Sequence, residues 1–240
     1  MAVNESITVV AVHGAWADGS SWKDVILGLE REGIRVIAAP IPLTSLGDDT
    51  AALQRAIART TGPIILAAHA YAGAVIATAN DERVKALVYV ASLAPDEGET
   101  VAQVFGRDER HPQAPQLAPD ADGFIWMPDE GFKSAFAHHA TPEQISLSAA
   151  VQRPFSVKCM QEPVPRPAWK SKPSWFLIAE EDRMINPKTQ HFMAKRMGAT
   201  TRSLPVDHTP LLTAPRKVVD IILEARQAVV SQTDVMTQRT

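Results

Sequence analysis

The stretch from Gly62 to Asn80, GPIILAAHAYAGAVIATAN, restricts the fold of this chain more than any other. Ile64 to Ala68 is a short apolar run opened by the turn-like pair Gly62–Pro63, and its length and β-branched content predict a strand buried on both faces. From Tyr71 onward the residues are small and helix-tolerant, as a helix packed against a sheet requires. Between strand and helix lies Ala68-His69-Ala70-Tyr71-Ala72-Gly73. Small residues at every second position permit a sharp turn, and a bulkier side chain at Ala68, Ala72 or Gly73 would strike the neighbouring strand and helix. Such a turn lifts its apex, Ala70, above the sheet edge in a strained conformation.

The rest of the chain repeats strand and helix signals around that unit. Apolar runs predict strands at Ile7–Val12, Ile34–Ala38, Val84–Ala91, Trp175–Ala179 and Thr201–Val206. Helical spacing predicts a helix from Asp18 or Ser20 to about Glu32, stopped by Gly33, and another from Asp48 or Asp49 to about Thr60. Pro187–Met197 and a closing helix from Pro215 to the Val229 region complete the set, with Ser231–Thr240 a polar, frayed tail. Alternation of this kind predicts a parallel sheet with helices on both faces, and a ligand site beyond the carboxyl ends of its strands.

Eleven of the 18 prolines fall between Pro95 and Pro173, a density that forbids long regular elements. This segment is expected to be a cap: a short strand at Phe124–Met127, short helices at Phe132–His138 and Pro142–Gln152, and rings that either line a pocket or fasten the cap to the core. Residues 1–94 and 174–240 form the core and 95–173 the insertion.

Composition narrows the partners. A net charge of −3 offers no basic surface for nucleic acid or anionic membrane. Met1–Ser6 is too short for a signal peptide and Ile7–Val12 too short to span a bilayer. A single cysteine, Cys159, excludes an intramolecular disulfide. A cytoplasmic protein acting on a small molecule, without nucleic acid, membrane or cofactor, is the expectation; a homodimer stays open, since the cap rings could equally serve a subunit contact.

Five segments in order carry a resemblance: Val12-His13-Gly14-Ala15-Trp16, the turn at Ala70, Leu87-Val88-Tyr89-Val90-Ala91 with Ala94-Pro95-Asp96-Glu97-Gly98, Glu181-Asp182-Arg183, and Asp207-His208. The chain resembles the α/β-hydrolase superfamily, in particular bacterial relatives of the plant methylesterase and hydroxynitrile lyase group. The resemblance runs from about Ile7 to Leu223 and implies an α/β-hydrolase fold, a mostly parallel doubly wound sheet with a helical cap insertion. The turn corresponds to the nucleophile elbow G-x-S-x-G, with alanine where that motif has serine. By the same resemblance Ala70, Asp182 and His208 stand in the order nucleophile, acid, histidine, and the amides of Ala15 or Trp16 and of Tyr71 form an oxyanion site. Trp126, Phe132, Phe136 and Ser92 are expected to face substrate, with Ser92 a weak candidate for a replacement nucleophile. His13 and His69 are expected to be structural, and Cys159 a buried inert thiol. His138 and His139, adjacent on a helix, should diverge and make a poor metal pair.

A methyl group cannot attack a carbonyl, so a serine acyl-enzyme cycle is not available. Three readings follow. In the first, His208 and Asp182 activate water or abstract a proton from a small, largely apolar ester, lactone or carbonyl compound. In the second, Ala70 is a trap in an ordinary carboxylesterase. In the third, the chain is a binding protein that has lost its chemistry.

Overall fold

A computed structural model describes residues 7–237, with side chains through residue 231. The expectations for Met1–Ser6 and for the last three residues lie outside it. Six strands form one sheet: β1 (Thr8–Val12), β2 (Arg35–Ala39), β3 (Ile64–His69), β4 (Val84–Val90), then, after a long segment, β7 (Ser174–Ala179) and β8 (Thr200–Leu204). Their order is β2-β1-β3-β4-β7-β8, and every pairing is parallel. From β1 the chain first builds outward to β2, then returns to place β3 on the other flank. The loops after β1 and β3 therefore diverge, leaving a crevice at their carboxyl ends.

Period-two alternation sorts the sheet's side chains between two apolar layers. Val9, Ala11, Ile65, Ala67 and Val88 pack with Trp22, which precedes α1 (Lys23–Arg31), with Leu29 of α1, and with Val218 and Ile222 of α10 (Pro215–Thr237). Val10, Val12, Leu66, Leu87 and Tyr89 point the other way, onto α2 (Leu46–Ile57), α3 (Ala72–Ala77) and Met193 of α8 (Pro187–Met197). Local chemistry sets the boundaries. Asp18 caps a 3-10 turn at Gly19–Trp22 ahead of α1. Ser45 rather than Asp48 caps α2, accepting from the Asp48 amide. Asn186 caps α8, which ends at left-handed Gly198. The closing helix does not fray at Ser231: it continues to Thr237.

Between β4 and β7 the elements are short: α4 (Val101–Phe105), β5 (Phe124–Ile125), α5 (Asp129–Gly131), a π-helical turn at Phe132–Phe136, α6 (Pro142–Val151), β6 (Phe155–Ser156) and α7 (Lys158–Gln161). β5 and β6 pair antiparallel. Thr100 and Thr141 open α4 and α6 with capping boxes. A last short helix, α9 (Pro210–Thr213), precedes α10. Among the described residues no helix is long and apolar enough to cross a membrane.

Candidate active site

The turn after β3 has the strained geometry its sequence predicts: Ala70 has φ 51°, a left-handed value for a residue with a Cβ. Its carbonyl is fixed by three donors, the Leu93 amide at 2.9 Å, the Gly73 amide at 3.2 Å and Ser92 Oγ at 2.7 Å. Gly73 is obligatory here, because a methyl group would overlap the Leu93 carbonyl oxygen and Ser92 Oγ. Gly14, in the loop after β1, lies so close that a Cβ there would come within 3.0 Å of Ala70 Cβ and of His69 Nδ1. Backbone at the ends of β1 and β3 is thus brought into contact through small residues.

His208 and Asp182, from the loops after β8 and β7, meet at the same edge. His208 Nδ1 donates to Asp182 Oδ2 at 2.8 Å, and each residue is only 2% exposed. The carboxylate is fully engaged: Oδ2 also accepts from Gln190 Nε2 at 2.7 Å, and Oδ1 accepts from the amides of Met184 at 2.7 Å and Ile185 at 2.9 Å. With Nδ1 carrying the proton, Nε2 of His208 holds the free lone pair. The backbone of His208 is held in turn, since His69 Nε2 donates to its carbonyl at 2.7 Å. Burial, and the neighbouring His208, hold the His69 imidazole well below the usual histidine range, so it stays neutral.

Ala70, His208, Ala15, Trp16 and Tyr71 all line one cavity of about 190 Å³. Trp16 also has a left-handed backbone, φ 55°, and its indole donates to the Ile125 carbonyl at 3.0 Å, tying the loop after β1 to β5. Among the described residues the amides of Ala15, Trp16 and Tyr71 donate to no protein acceptor. Tyr71 is anchored from below: its hydroxyl donates to buried Asp49 at 2.7 Å, which also accepts from the Leu43 amide at 2.7 Å. Burial pushes the Asp49 carboxyl up to about 6 against these hydrogen bonds. His13, just below the loop, donates from Nδ1 to the Gly14 carbonyl at 3.0 Å, and burial lowers it to about 4.

Four sequence expectations are corrected. Ser92 is fully buried, its hydroxyl is committed to the Ala70 carbonyl, and it does not reach the cavity wall. Trp126 is 51% exposed and points away, while its neighbour Ile125 lines the cavity. Phe132 is fully buried behind Phe136, edge-on at 5.2 Å between ring centroids; of the two only Phe136 forms the wall. Cys159 is buried beside Asp49, and burial with that carboxylate raises the thiol. His138 and His139 do not diverge. They follow the π-helical turn rather than sit on a helix, their ring centroids are 4.3 Å apart, and with Glu181 they offer three ligand atoms within 4.8 Å of one another. Those donors suit a divalent metal by type, although His139 Nε2 already meets Glu181 Oε2 at 3.0 Å.

Two supporting residues escape a reading by motif. Gln190 orients Asp182 from α8, and Asp207, fully buried, accepts from the His139 amide at 3.0 Å and from Thr213 Oγ1 at 2.6 Å. The sequence marks Asp207 only as the neighbour of His208; its burial and hydrogen bonds identify it as the residue that fixes that loop.

Comparison with known proteins agrees with this architecture. The chain is 21% identical to "Alpha/beta hydrolase nvfD" of Aspergillus novofumigatus (strain IBT 16806), over 90% of this chain and 95% of that one. A pyrethroid hydrolase from Sphingobium faniae JZ-2 superposes with a TM-score of 0.78 at 21% identity, covering 91% of this chain and 97% of that one. A tomato methylketone synthase I variant in complex with β-ketoheptanoate gives a TM-score of 0.79 at 16% identity, covering 93% and 99%. Residues 9–221 match the sequence model of the alpha/beta hydrolase family, and the chain belongs to that family.

Proposed function

We propose that this protein is an acid–base enzyme in which His208, oriented by Asp182, activates water or removes a proton from a small, largely apolar ester, lactone or other carbonyl compound, with no covalent acyl-enzyme. The observation that carries the reading is the buried 2.8 Å contact between His208 and Asp182 on a cavity whose apex is a methyl group. A retained imidazole–carboxylate pair supplies a general base, and the unengaged amides of Ala15, Trp16 and Tyr71 supply donors for a developing oxyanion. The segment 95–173 acts as a cap whose inner wall, Leu117, Ile125, Phe136 and Phe155 among it, selects apolar substrates. Related architectures support both branches: one neighbour is a pyrethroid hydrolase, and another holds β-ketoheptanoate, a carbonyl compound that is not an ester.

A panel of small aryl and alkyl esters, lactones and β-keto acids tests the proposal. His208→Ala should lower turnover of the best substrate by at least about a hundredfold. Turnover that survives His208→Ala removes the acid–base reading. Ala70→Ser discriminates further: a product burst matching the enzyme concentration on aryl esters would identify a trapped carboxylesterase. Little gain is expected if the surrounding turn has been retuned for the dyad.

A further inference from the structure

We infer that the molecule taken up by the cavity carries a carboxylate, and that the guanidinium of Arg110 receives it. The inference rests on the acid–base reading of the site and names the class of molecule that site accepts. Among the described residues, Arg110 is, apart from His208, the one ionisable cationic side chain of the cavity lining; nearly all the rest is aliphatic, aromatic or thioether. A wall meant for a wholly apolar guest has no use for a permanent charge, whereas a few fixed polar groups in an apolar pocket set a ligand's orientation.

Arg110 is also unspent. Arg107 pairs with Asp108 and Arg196 with Glu99. Arg110, among the described residues, makes one contact, from Nη2 to the Pro115 carbonyl at 2.6 Å, and no ion pair. That contact uses one of five N–H donors and steadies the plane of the head, leaving donors for a two-pronged grip on a carboxylate. The backbone that carries it is moored to α8: Asn186 Nδ2 donates to the Glu109 carbonyl at 2.8 Å, and Thr189 Oγ1 to Asp108 Oδ2 at 2.7 Å. Arg110 lines the cavity yet is exposed to solvent, so the anionic group of a bound acid stays near water while its hydrocarbon part fills the cavity toward Ala70 and His208.

Calorimetric titration of the full chain with octanoate and with octanamide, equal in length and differing in charge, tests this. Octanoate should bind about tenfold tighter or better. Rising ionic strength should weaken octanoate alone. Arg110→Gln should bring the two probes to near parity, and Arg110→Lys, which keeps charge but loses the fork, should retain part of the preference. Equal binding of the probes to the wild type, or no measurable binding of octanoate, overturns the inference. So does a preference that survives Arg110→Gln, since that would seat the carboxylate on His208 or the free amides instead. His208→Ala separates the two ideas: it should abolish turnover and leave the octanoate preference in place. If turnover persists in that variant, the acid–base reading falls while the role of Arg110 is judged by the Arg110 variants alone.

Discussion

Asp182 shows how much of the proposed chemistry is decided by the engagement of a single carboxylate. Two amides hold Oδ1 and two side-chain donors hold Oδ2, so neither oxygen can rotate away from the imidazole. The Met184 and Ile185 amides would still donate to an amide oxygen at the Oδ1 position. An Asp182→Asn substitution should therefore fold normally while placing an N–H where Oδ2 now accepts from His208 and Gln190. Two donors would then face a third, and the imidazole would shift its proton to Nε2, losing the lone pair that faces the cavity. Turnover should drop by about a thousandfold or more with little change in KM, as expected when the wrong tautomer is enforced. Steady-state kinetics alongside a denaturation curve check this; turnover within a few-fold of wild type would show that Asp182 does not act through His208.

At the scale of the element, the strand–turn–helix at Ala70 leaves no room for adjustment. Gly73 abuts the carbonyl of Leu93 and the hydroxyl of Ser92, and both residues are fixed in place because the Leu93 amide and the Ser92 hydroxyl donate to the elbow carbonyl of Ala70. Gly73→Ala would have to push α3 off the sheet or break those bonds, and should cost about 3 kcal/mol. A urea midpoint unchanged by the substitution would mean that the turn is looser than its contacts imply. This element was legible in the sequence because its constraint is local: small residues at alternate positions admit one kind of turn. The dyad was legible for a related reason, since both residues follow predicted strands and a parallel sheet delivers such loops to one edge. The inner wall between β4 and β7 was not. β5 is two residues long, and a shift of one residue exchanges the faces, so Ile125 lines the cavity and Trp126 meets solvent. In the same way the π-helical turn ends at Phe136, and His138 and His139 leave it into a turn that brings their rings together. Without a periodic pattern, no local signal in a proline-rich segment tells which ring faces inward.

Across the whole molecule the site is held by buried titratable groups that make stability depend on pH in opposing senses. His13 and His69 stay neutral inside the fold, with His13 lowered to about 4 from 6.5. As pH falls below 6.5 the unfolded chain takes up protons that the folded one refuses, so stability is lost on acidification, by about 3 kcal/mol for His13 once pH nears 4. Asp49 acts the other way. Its folded carboxyl is raised to about 6 from 3.8, so the fold binds a proton before the unfolded chain does. Stability therefore rises as pH falls from 6 toward 3.8, by a comparable ~3 kcal/mol. Two histidines against one carboxyl leave a net loss, and the wild-type urea midpoint should fall between pH 7 and pH 4.5. Asp49→Asn keeps an oxygen for the Leu43 amide and removes the buried charge. It should gain stability at pH 7 and lose it more steeply than wild type on acidification, because the compensating proton uptake is gone. A wild type that becomes more stable in acid would contradict neutral burial of the histidines. The groups concerned sit directly under the site: Asp49 anchors Tyr71, His69 holds the His208 backbone, and His13 braces the Gly14 loop. Acid should consequently loosen the cleft before it unfolds the sheet, and in His69→Phe, which removes one refused proton, the acid loss of stability should shrink while the His208 loop loses its tether.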